Sequence, residues 1–553
     1  MKKRNLLNVV LVLFSVSGSF VVNAQWNPDI SENNLICGGD PIKFGLQTAE
    51  DGSGGLFMVW YDARNLATGV DNYMQHMDAN GNSLWDSAGE SILIFEFDQM
   101  QPEIIPDGNN GFYVIWRDER LGEDEEDFYM QHVDFDGNIL WDTDGVRVSS
   151  LTINSDNDIQ KEIVTDGEGG ALIMYYGHTV PDETDQVIYA ARINEDGVLL
   201  WSDNIVCNDD ASNTQDIKMV TDGDGGAFVT WRDDRLDNSA IAVQHFNNDG
   251  DMLWASNGIL ITTLIDVDMN DPVAAYDGEG GVYIAWADWR NDMTQVHAQH
   301  IDADGNMLWE ENGVAVSEPD DFHTEYSIVA SSDGGALIAW TQNFPSESYA
   351  QKINDAGVRI WGEHGLNVFV PADDTEQEPF IRSDGFGGAA VGVKEVATPS
   401  YIKARNIKAD GTFNGDQVLA ANSSESKLYI NMDKAAVNNW IFSWIEERTP
   451  DAYHVYASKI EFTPYTTSIL DNGGKNNIHI YPNPNTGQFN LIVNEYSLTD
   501  NIISIYDNTG NLLFKKILID EQTEIELNNY PPGIYWIRLN RWNNFESYPV
   551  VKM

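Results

Sequence analysis

The sequence predicts an all-β fold, an eight-bladed β-propeller followed by a small Ig-like β-sandwich. Three observations carry that prediction. A ten-residue phrase, Asp51-Gly52-Ser53-Gly54-Gly55-Leu56-Phe57-Met58-Val59-Trp60, returns at 107–116, 166–175, 222–231 and 277–286, and in worn form at 331–340 and 384–393. A second phrase, first seen as Tyr73–Trp85, follows each copy at 129–141, 189–201, 242–254, 297–309 and 349–361, with a decayed copy at 402–414. Past Phe462 both phrases stop and the punctuation changes. The starts of the first phrase lie 56, 59, 56, 55, 54 and 53 residues apart. A period of about 50 residues marks a propeller or another repeat array.

Each repeat reads as four strands. The Asp-Gly-x-Gly-Gly run is a glycine turn that opens a β-rich run such as Phe112-Tyr113-Val114-Ile115-Trp116. The Asp-x-Asp-Gly run, as in Asp134-Phe135-Asp136-Gly137, is a second hairpin turn in which Gly takes positive φ. A variable connection lies between them, and an apolar run such as Gly313-Val314-Ala315-Val316 leads into the next unit. Four antiparallel strands make one blade. The second strand is apolar at nearly every position, which suits a sheet covered on both faces. The recurrent tryptophans at 60, 116, 231, 286 and 340, and at 85, 141, 201, 254, 309 and 361, are expected to pack between blades rather than to stack on sugars.

Seven copies are plain, and Lys427–Met432, Asn438–Trp444 and Tyr453–Ile460 match the first three strands of an eighth. Its missing last strand is supplied by the N-terminus. Trp26…Asn33-Asn34-Leu35-Ile36-Cys37 resembles the end of a unit, Trp201-Ser202-Asp203-Asn204-Ile205-Val206-Cys207. Closing the ring in this way removes exposed edges; seven blades plus an odd strand set is the alternative. In this register Cys37 and Cys207 fall on outer strands of blades far apart in the ring, beyond the ~7 Å Cα separation that a disulfide tolerates, so both are expected as unbridged thiols.

Met1-Lys2-Lys3-Arg4, an apolar stretch to Val22 and the small-residue close Val22-Asn23-Ala24 read as a secretory signal peptide cut between Ala24 and Gln25. An uncleaved anchor is the other reading, and no later stretch is apolar enough to span a bilayer. The 553-residue chain has 88 acidic against 31 basic residues, a net charge of −57. A field of that sign repels nucleic acid and anionic membranes.

Trp-x-Asp-x-Arg closes the second strand in four repeats, as Trp60/Asp62/Arg64, Trp116/Asp118/Arg120, Trp231/Asp233/Arg235 and Trp286/Asp288/Arg290. Asp and Arg two apart pair with each other, or the Arg reaches a carboxylate on the next blade. Repetition argues for a structural clamp, because a catalytic residue is needed once. Blade three has Tyr175 and His178 instead, and blade six has Trp340 without Asp or Arg. The Asp-x-Asp-Gly turns, best exemplified by Asp302-Ala303-Asp304-Gly305-Asn306, are candidate Ca²⁺ holders, with a plain hairpin turn as the simpler reading. No cofactor is otherwise implied. No Gly-x-Ser-x-Gly, His-Glu-x-x-His or phosphate loop occurs, so no catalytic residue is singled out. Binding is expected on the rim that carries the variable loops.

The remaining segment, 478–553, follows a polar linker at 463–477 and reads as seven short strands. Tyr481-Pro482-Asn483-Pro484, then Ile505-Tyr506-Asp507-Asn508-Thr509-Gly510, then Pro532-Gly533-Ile534-Tyr535, then Val550-Val551-Lys552-Met553 resemble, in that order, the type A C-terminal sorting domain of the type IX secretion system. The motif positions are Tyr481, Pro482, Asn483, Pro484, Asp507, Gly510, Gly533, Tyr535 and Lys552. The resemblance implies export across the outer membrane of a Bacteroidota-type bacterium. It also implies as partners the secretion machinery and a sortase that removes the tail and attaches the cargo to surface lipopolysaccharide. The chain is then a secreted or surface-displayed propeller, expected as a non-catalytic glycan- or protein-binding adhesion module. A carbohydrate-active hydrolase or lyase with its site in the channel is the alternative.

Overall fold

The computed structural model describes residues 26–39, 42–65, 67–121, 126–149, 160–178, 186–207, 215–236, 238–264, 266–291, 293–318, 322–343, 346–369, 375–397, 400–436, 438–449, 452–463, 478–481, 487–493, 498–507, 512–517, 522–528, 530–531, 533–541 and 544–552. The expected signal peptide with Ala24 and Gln25, the linker after Thr463, and Pro482, Asn483, Pro484 and Gly510 lie outside them.

The described elements are all strands, and the repeat region forms four-stranded antiparallel sheets. Sheet one runs Lys43–Glu50, Leu56–Asp62, Asp71–Met77 and Glu90–Ser91. Sheet two runs Gln99–Pro106, Phe112–Asp118, Asp127–Val133 and Val146–Arg147. Sheets three to seven repeat the order, beginning at Lys161, Gln215, Met269, His323 and Thr375. In the eighth, Lys427–Ala436, Asn439–Thr449 and Ala452–Glu461 are joined by Asn34–Cys37 from the N-terminus. The first strand of sheet one packs against the first strands of sheet two and sheet eight, so the succession of sheets returns on itself.

The N-terminal strand repeats the local chemistry of the fourth strand of sheet three. Asn34 donates to the carbonyl of Gly81 (3.1 Å) as Asn204 donates to Gly250 (3.2 Å). Asn33 and Asp203 share a left-handed backbone, φ 53° and 56°. Cys37 pairs with Val455 and Cys207 with Ile188, so the two buried thiols occupy corresponding positions of different sheets, with no disulfide between them.

Each sheet is held on both faces. Leu56, Phe57, Met58, Val59 and Trp60 are all fully buried, as continuous hydrophobicity in a doubly covered strand requires. The tryptophans of the second phrase tie sheet to sheet: Trp141, Trp201, Trp309 and Trp361 donate their indole N–H to backbone carbonyls of Glu195, Asn248, Asp355 and Ala409, in the Asp-Gly turns of the next sheets. Trp26 does the same for sheet one, donating to Ala79 (3.0 Å).

The glycine turn is fixed by close approach as well as by φ. A Cβ at Gly55 would collide with the carbonyl oxygen of Met77 and a carboxylate oxygen of Asp51. One irregularity was not foreseen. In seven sheets the first strand shifts register near its start, around Gly45, Gln101, Asp216, Asp271, Glu325, Glu378 and Tyr429, each with φ between 46° and 60°. A bulge re-aims side chains at that point of the strand.

The tail forms two antiparallel sheets. Ile478–Tyr481, Gln488–Val493 and Gln522–Glu526 make one; Leu512–Ile517, Leu498–Tyr506, Gly533–Arg541 and Asn544–Lys552 make the other. Phe489, Leu491 and Ile525 of the first share a core with Ile503, Ile505, Ile537 and Val550 of the second.

Candidate functional site

The Trp-x-Asp-x-Arg residues form compact groups within single sheets. In sheet two Asp118 accepts the Trp116 indole N–H at Oδ2 (2.8 Å) and the Arg120 guanidinium at both oxygens (2.8 and 2.6 Å). Arg120 also donates to the carbonyl of Asp144, in the turn before the fourth strand. Asp62/Arg64 and Asp288/Arg290 repeat this geometry, reaching Ala88 and Asn312.

In sheet four the second strand ends at Asp233, and Arg235 stands two residues beyond it, in a bend. The physical reason is reach: the chain must turn back before the guanidinium can meet the carboxylate two residues earlier. Arg235 Nε then donates to Asp233 Oδ1 (2.7 Å), and Nη2 serves both Asp233 Oδ2 and the Asn257 carbonyl. The Arg235 side chain is 18% exposed whereas Asp233 is fully buried, so Arg235 caps the clamp from the surface. Arg64, Arg120 and Arg290 likewise lie past strands that end at Asp62, Asp118 and Asp288. The carboxylate that each Arg grips is that of its own Asp, which decides between the two pairings the sequence left open.

All four carboxylates are buried. Sequence reasoning missed a fifth instance, Trp444/Glu446/Arg448, in which Glu446 accepts from both (2.8 and 2.7 Å). The signal was the same spacing with Glu for Asp. In sheet three Tyr175 donates instead to Asp203 (2.7 Å).

The aspartates that open the glycine turns form a second repeated group. Asp51, Asp107, Asp222 and Asp277 each accept two backbone N–H groups of their turn, and each is met by a histidine of the third strand: His76, His132, His245 and His300, at 3.0, 2.8, 2.9 and 2.9 Å. Burial pushes these carboxyls up, but the histidine and backbone hydrogen bonds together hold them below the usual carboxylate range. In sheet three Arg192 takes the place of the histidine. The recurring histidine at the end of the third strand could have signalled this group.

The Asp-x-Asp-Gly turns use their leading carboxylate internally. Asp302 accepts the N–H groups of Asp304 and Asn306 and the Asn306 amide. Among the described residues no group of three or more His, Cys, Asp and Glu has metal-binding geometry.

A cavity of about 290 Å³ opens between sheets five and six. It lies where the bulged first strands begin and the second strands end, the rim of the variable connections. Asp271 and Glu325 occupy equivalent left-handed positions of the two bulges. Trp289, the residue between Asp288 and Arg290 of the fifth sheet's clamp, supplies an indole 40% exposed, backed by Phe322 with ring centroids 5.9 Å apart. The Tyr326 hydroxyl donates to the carbonyls of Asn270 (3.1 Å) and Asp271, pinning sheet six to sheet five. His323, buried, donates Nδ1–H to the carbonyl of Thr294 (2.7 Å). Glu325 accepts the backbone N–H of Glu378 (2.8 Å). Burial and the nearby Asp216 carboxylate push the Asp271 carboxyl up, with Arg232 opposing. An aromatic face beside two carboxylates and neutral polar groups can stack on and hydrogen-bond a small polar ligand.

In the tail, Tyr535 is buried and donates its hydroxyl to the Pro531 carbonyl, while Lys552 donates to Leu527 (2.8 Å), Asn528 and Tyr530 carbonyls. Gly533 pairs with Lys552, and Asp507 follows the strand ending at Tyr506.

Residues 479–552 match the family model of the secretion system C-terminal sorting domain. The chain thus ends in a type IX secretion sorting domain, which indicates export to the cell surface or secretion. No curated protein matches the chain. Among solved structures, an ulvan lyase bound to -[GlcA(1-4)Rha3S]- is 11% identical, over 64% of this chain and 90% of its own, with a TM-score of 0.43. The β-propeller domain of the Trilobed protease from Pyrococcus furiosus is 8% identical, over 79% and 98%, with a TM-score of 0.38. An α-L-arabinanase from Penicillium chrysogenum, complexed with arabinobiose, is 11% identical, over 66% and 93%, with a TM-score of 0.32. Among the described residues no helix is long and apolar enough to cross a membrane.

Proposed function

We propose, for a chain that ends in a type IX secretion sorting domain, that the mature protein is a surface-displayed or released glycan-binding module built on a closed eight-bladed β-propeller. Residues 1–24 are its signal peptide, 25–462 the propeller, 463–477 a linker and 478–553 an Ig-like sorting domain, recognised by the secretion machinery and a sortase. The Asp62/Arg64, Asp118/Arg120, Asp233/Arg235 and Asp288/Arg290 pairs are structural clamps that fasten the second strand of a blade to its outer turn. Ca²⁺ has no assigned place in this reading.

The observation that carries it is the cavity between sheets five and six, with the exposed Trp289 on its wall. An aromatic that faces solvent beside a cleft is spared the packing role of its buried counterparts, and large solvent-facing aromatics mark binding surfaces. The full-length chain less its signal peptide should bind on a glycan array and release no sugar from the polysaccharides it binds. Turnover of any of them would overturn the non-catalytic part of the reading. One observation favours that second reading, a hydrolase or lyase: two carboxylates, Asp271 and Glu325, line the same cavity. Turnover abolished by D271N or E325Q with binding retained would establish it.

A further inference from the structure

The described walls of the cavity between sheets five and six carry two carboxylates and one histidine. Asp271 and Glu325 both line it, and among the described lining residues there is no Lys or Arg. The Asp271 carboxylate accepts no hydrogen bond from a described residue, and the cation that opposes it, Arg232, is turned toward Asp234 and Ser239 (3.2 and 2.9 Å). Asp216, on the neighbouring bulge, adds a third carboxylate close enough to raise the Asp271 carboxyl. The Asp271 and Asp216 carboxylates thus repel each other, with Arg232 opposing, and a ligand cation beside Asp271 would relieve that repulsion. The aromatic wall points the same way. Trp289 presents an exposed indole face, and Tyr326 stands on the opposite sheet. Indole is the best side-chain partner for a cation over its face, and its flat surface also suits the C–H face of a sugar ring. Asn270 and Thr324 add neutral groups for hydroxyls. A volume of about 290 Å³ stands at the lower end of ligand clefts and matches one or two sugar rings rather than an extended peptide.

We propose that this cavity binds an amino sugar bearing a free, protonated amine, its ring stacked on Trp289 and its ammonium on the Asp271 carboxylate, with Glu325 adding negative charge to the same lining. The inference rests on the reading of this rim as a glycan-binding surface and adds the ligand's charge to it. The same carboxylates reject uronates and sulfated sugars, whose anions would enter a site lined by two carboxylates.

The test is calorimetric titration of the full chain, less the signal peptide, with a β-1,4-glucosamine tetramer, its N-acetylated counterpart, a galacturonate tetramer and a lysine-rich peptide. The amine tetramer should bind at least about tenfold tighter than the acetylated one, and galacturonate should not bind. The D271N/E325Q double variant should lose the preference for the amine while still binding the acetylated tetramer. Asn tolerates the left-handed backbone at 271, so that variant keeps the fold. W289A should weaken both neutral and amine sugars, with an unchanged melting temperature as the control for folding. Equal or tighter binding of the acetylated or galacturonate tetramer, lost in W289A, overturns the amine assignment and leaves the glycan-binding reading standing. Binding of the lysine-rich peptide alone overturns the sugar assignment, and no binding in any arm overturns both.

Discussion

Asp118 gathers four hydrogen bonds inside the protein, from the Trp116 indole, the Arg120 backbone N–H and two guanidinium nitrogens. Neither side chain of the ion pair is exposed by as much as a tenth. Removing the carboxylate strands the Arg120 charge and the indole N–H together, so D118A should cost about 3–5 kcal/mol, read as a fall in thermal midpoint. Arg235, more open to water than Arg120, should be the milder loss from the other side of a clamp, with R235A costing less than D118A. The partly exposed turn residue Asp302 offers the contrast: D302A loses only local turn bonds and should cost about 1 kcal/mol or less. Equal losses in D118A and D302A would remove the clamp from the account. Glu376 carries an opposite expectation. It is fully buried, accepts the Ser348 N–H (2.7 Å), and lies 3.9 Å from the Lys403 ammonium. Burial dominates and pushes its carboxyl up to about 7. A raised acid binds its proton in the fold more tightly than in the unfolded chain, so it destabilises increasingly as pH rises from about 4 to 7. E376Q should therefore raise the midpoint at pH 8 and leave it nearly unchanged at pH 4. A lower midpoint at pH 8 would show that the ionised form is stabilising.

At the scale of strands, the N-terminal segment has the most at stake. Asn34–Cys37 covers the edge of Ala452–Glu461, and Trp26 and Asn34 bond to the next sheet as their counterparts in sheet three do. A chain beginning at Gly38 exposes that edge and loses the buried side chains of Ile36 and Cys37, an invitation to pair with another chain. It should aggregate or lose its cooperative melt, whereas removal of residues 464–553 should leave the melt of the repeat region in place. A well-behaved monomer starting at Gly38 would contradict the closing role of this strand. This element was legible because Trp26…Cys37 copies Trp201…Cys207 at the bonding positions. The turns were legible because glycine at a position such as Gly55 is forced by a carbonyl that leaves no room for a Cβ. The bulges were not, since Gly45, Gln101, Asp271 and Tyr429 share a backbone angle but no side-chain type. The clamps were legible in part. Their spacing named the partners, but not the bend that carries Arg235 past the strand end and back to Asp233. Glu446 was hidden by its residue type: its longer side chain accepts the Trp444 indole and Arg448 Nε from the same spacing.

Across the whole molecule, the repeated carboxylate–histidine pairs set an acid limit. Asp51, Asp107, Asp222 and Asp277 sit below the usual carboxylate range. Their contribution is complete above the unfolded value of about 3.9 and is lost as pH falls through the lower folded value. Denaturation midpoints should be flat with respect to these groups above about pH 5 and fall below about pH 4, in four sheets at once. Replacing His132 with Asn should shallow that fall; an unchanged acid limb would assign it to other carboxylates. The cavity itself was hidden from sequence reading for a plain reason. Asp271, Trp289 and Glu325 belong to two repeats and meet only where adjacent sheets pack, and each stands at a position that the repeat leaves variable. Trp289 is the residue on which the functional account turns. The most direct measurement is glycan-array binding of the wild-type chain beside W289A and L308A, the latter removing a side chain 49% exposed on the same sheet but away from the cavity. Wild type and L308A should bind and W289A should not; binding that survives in W289A would contradict a ligand site at this cavity.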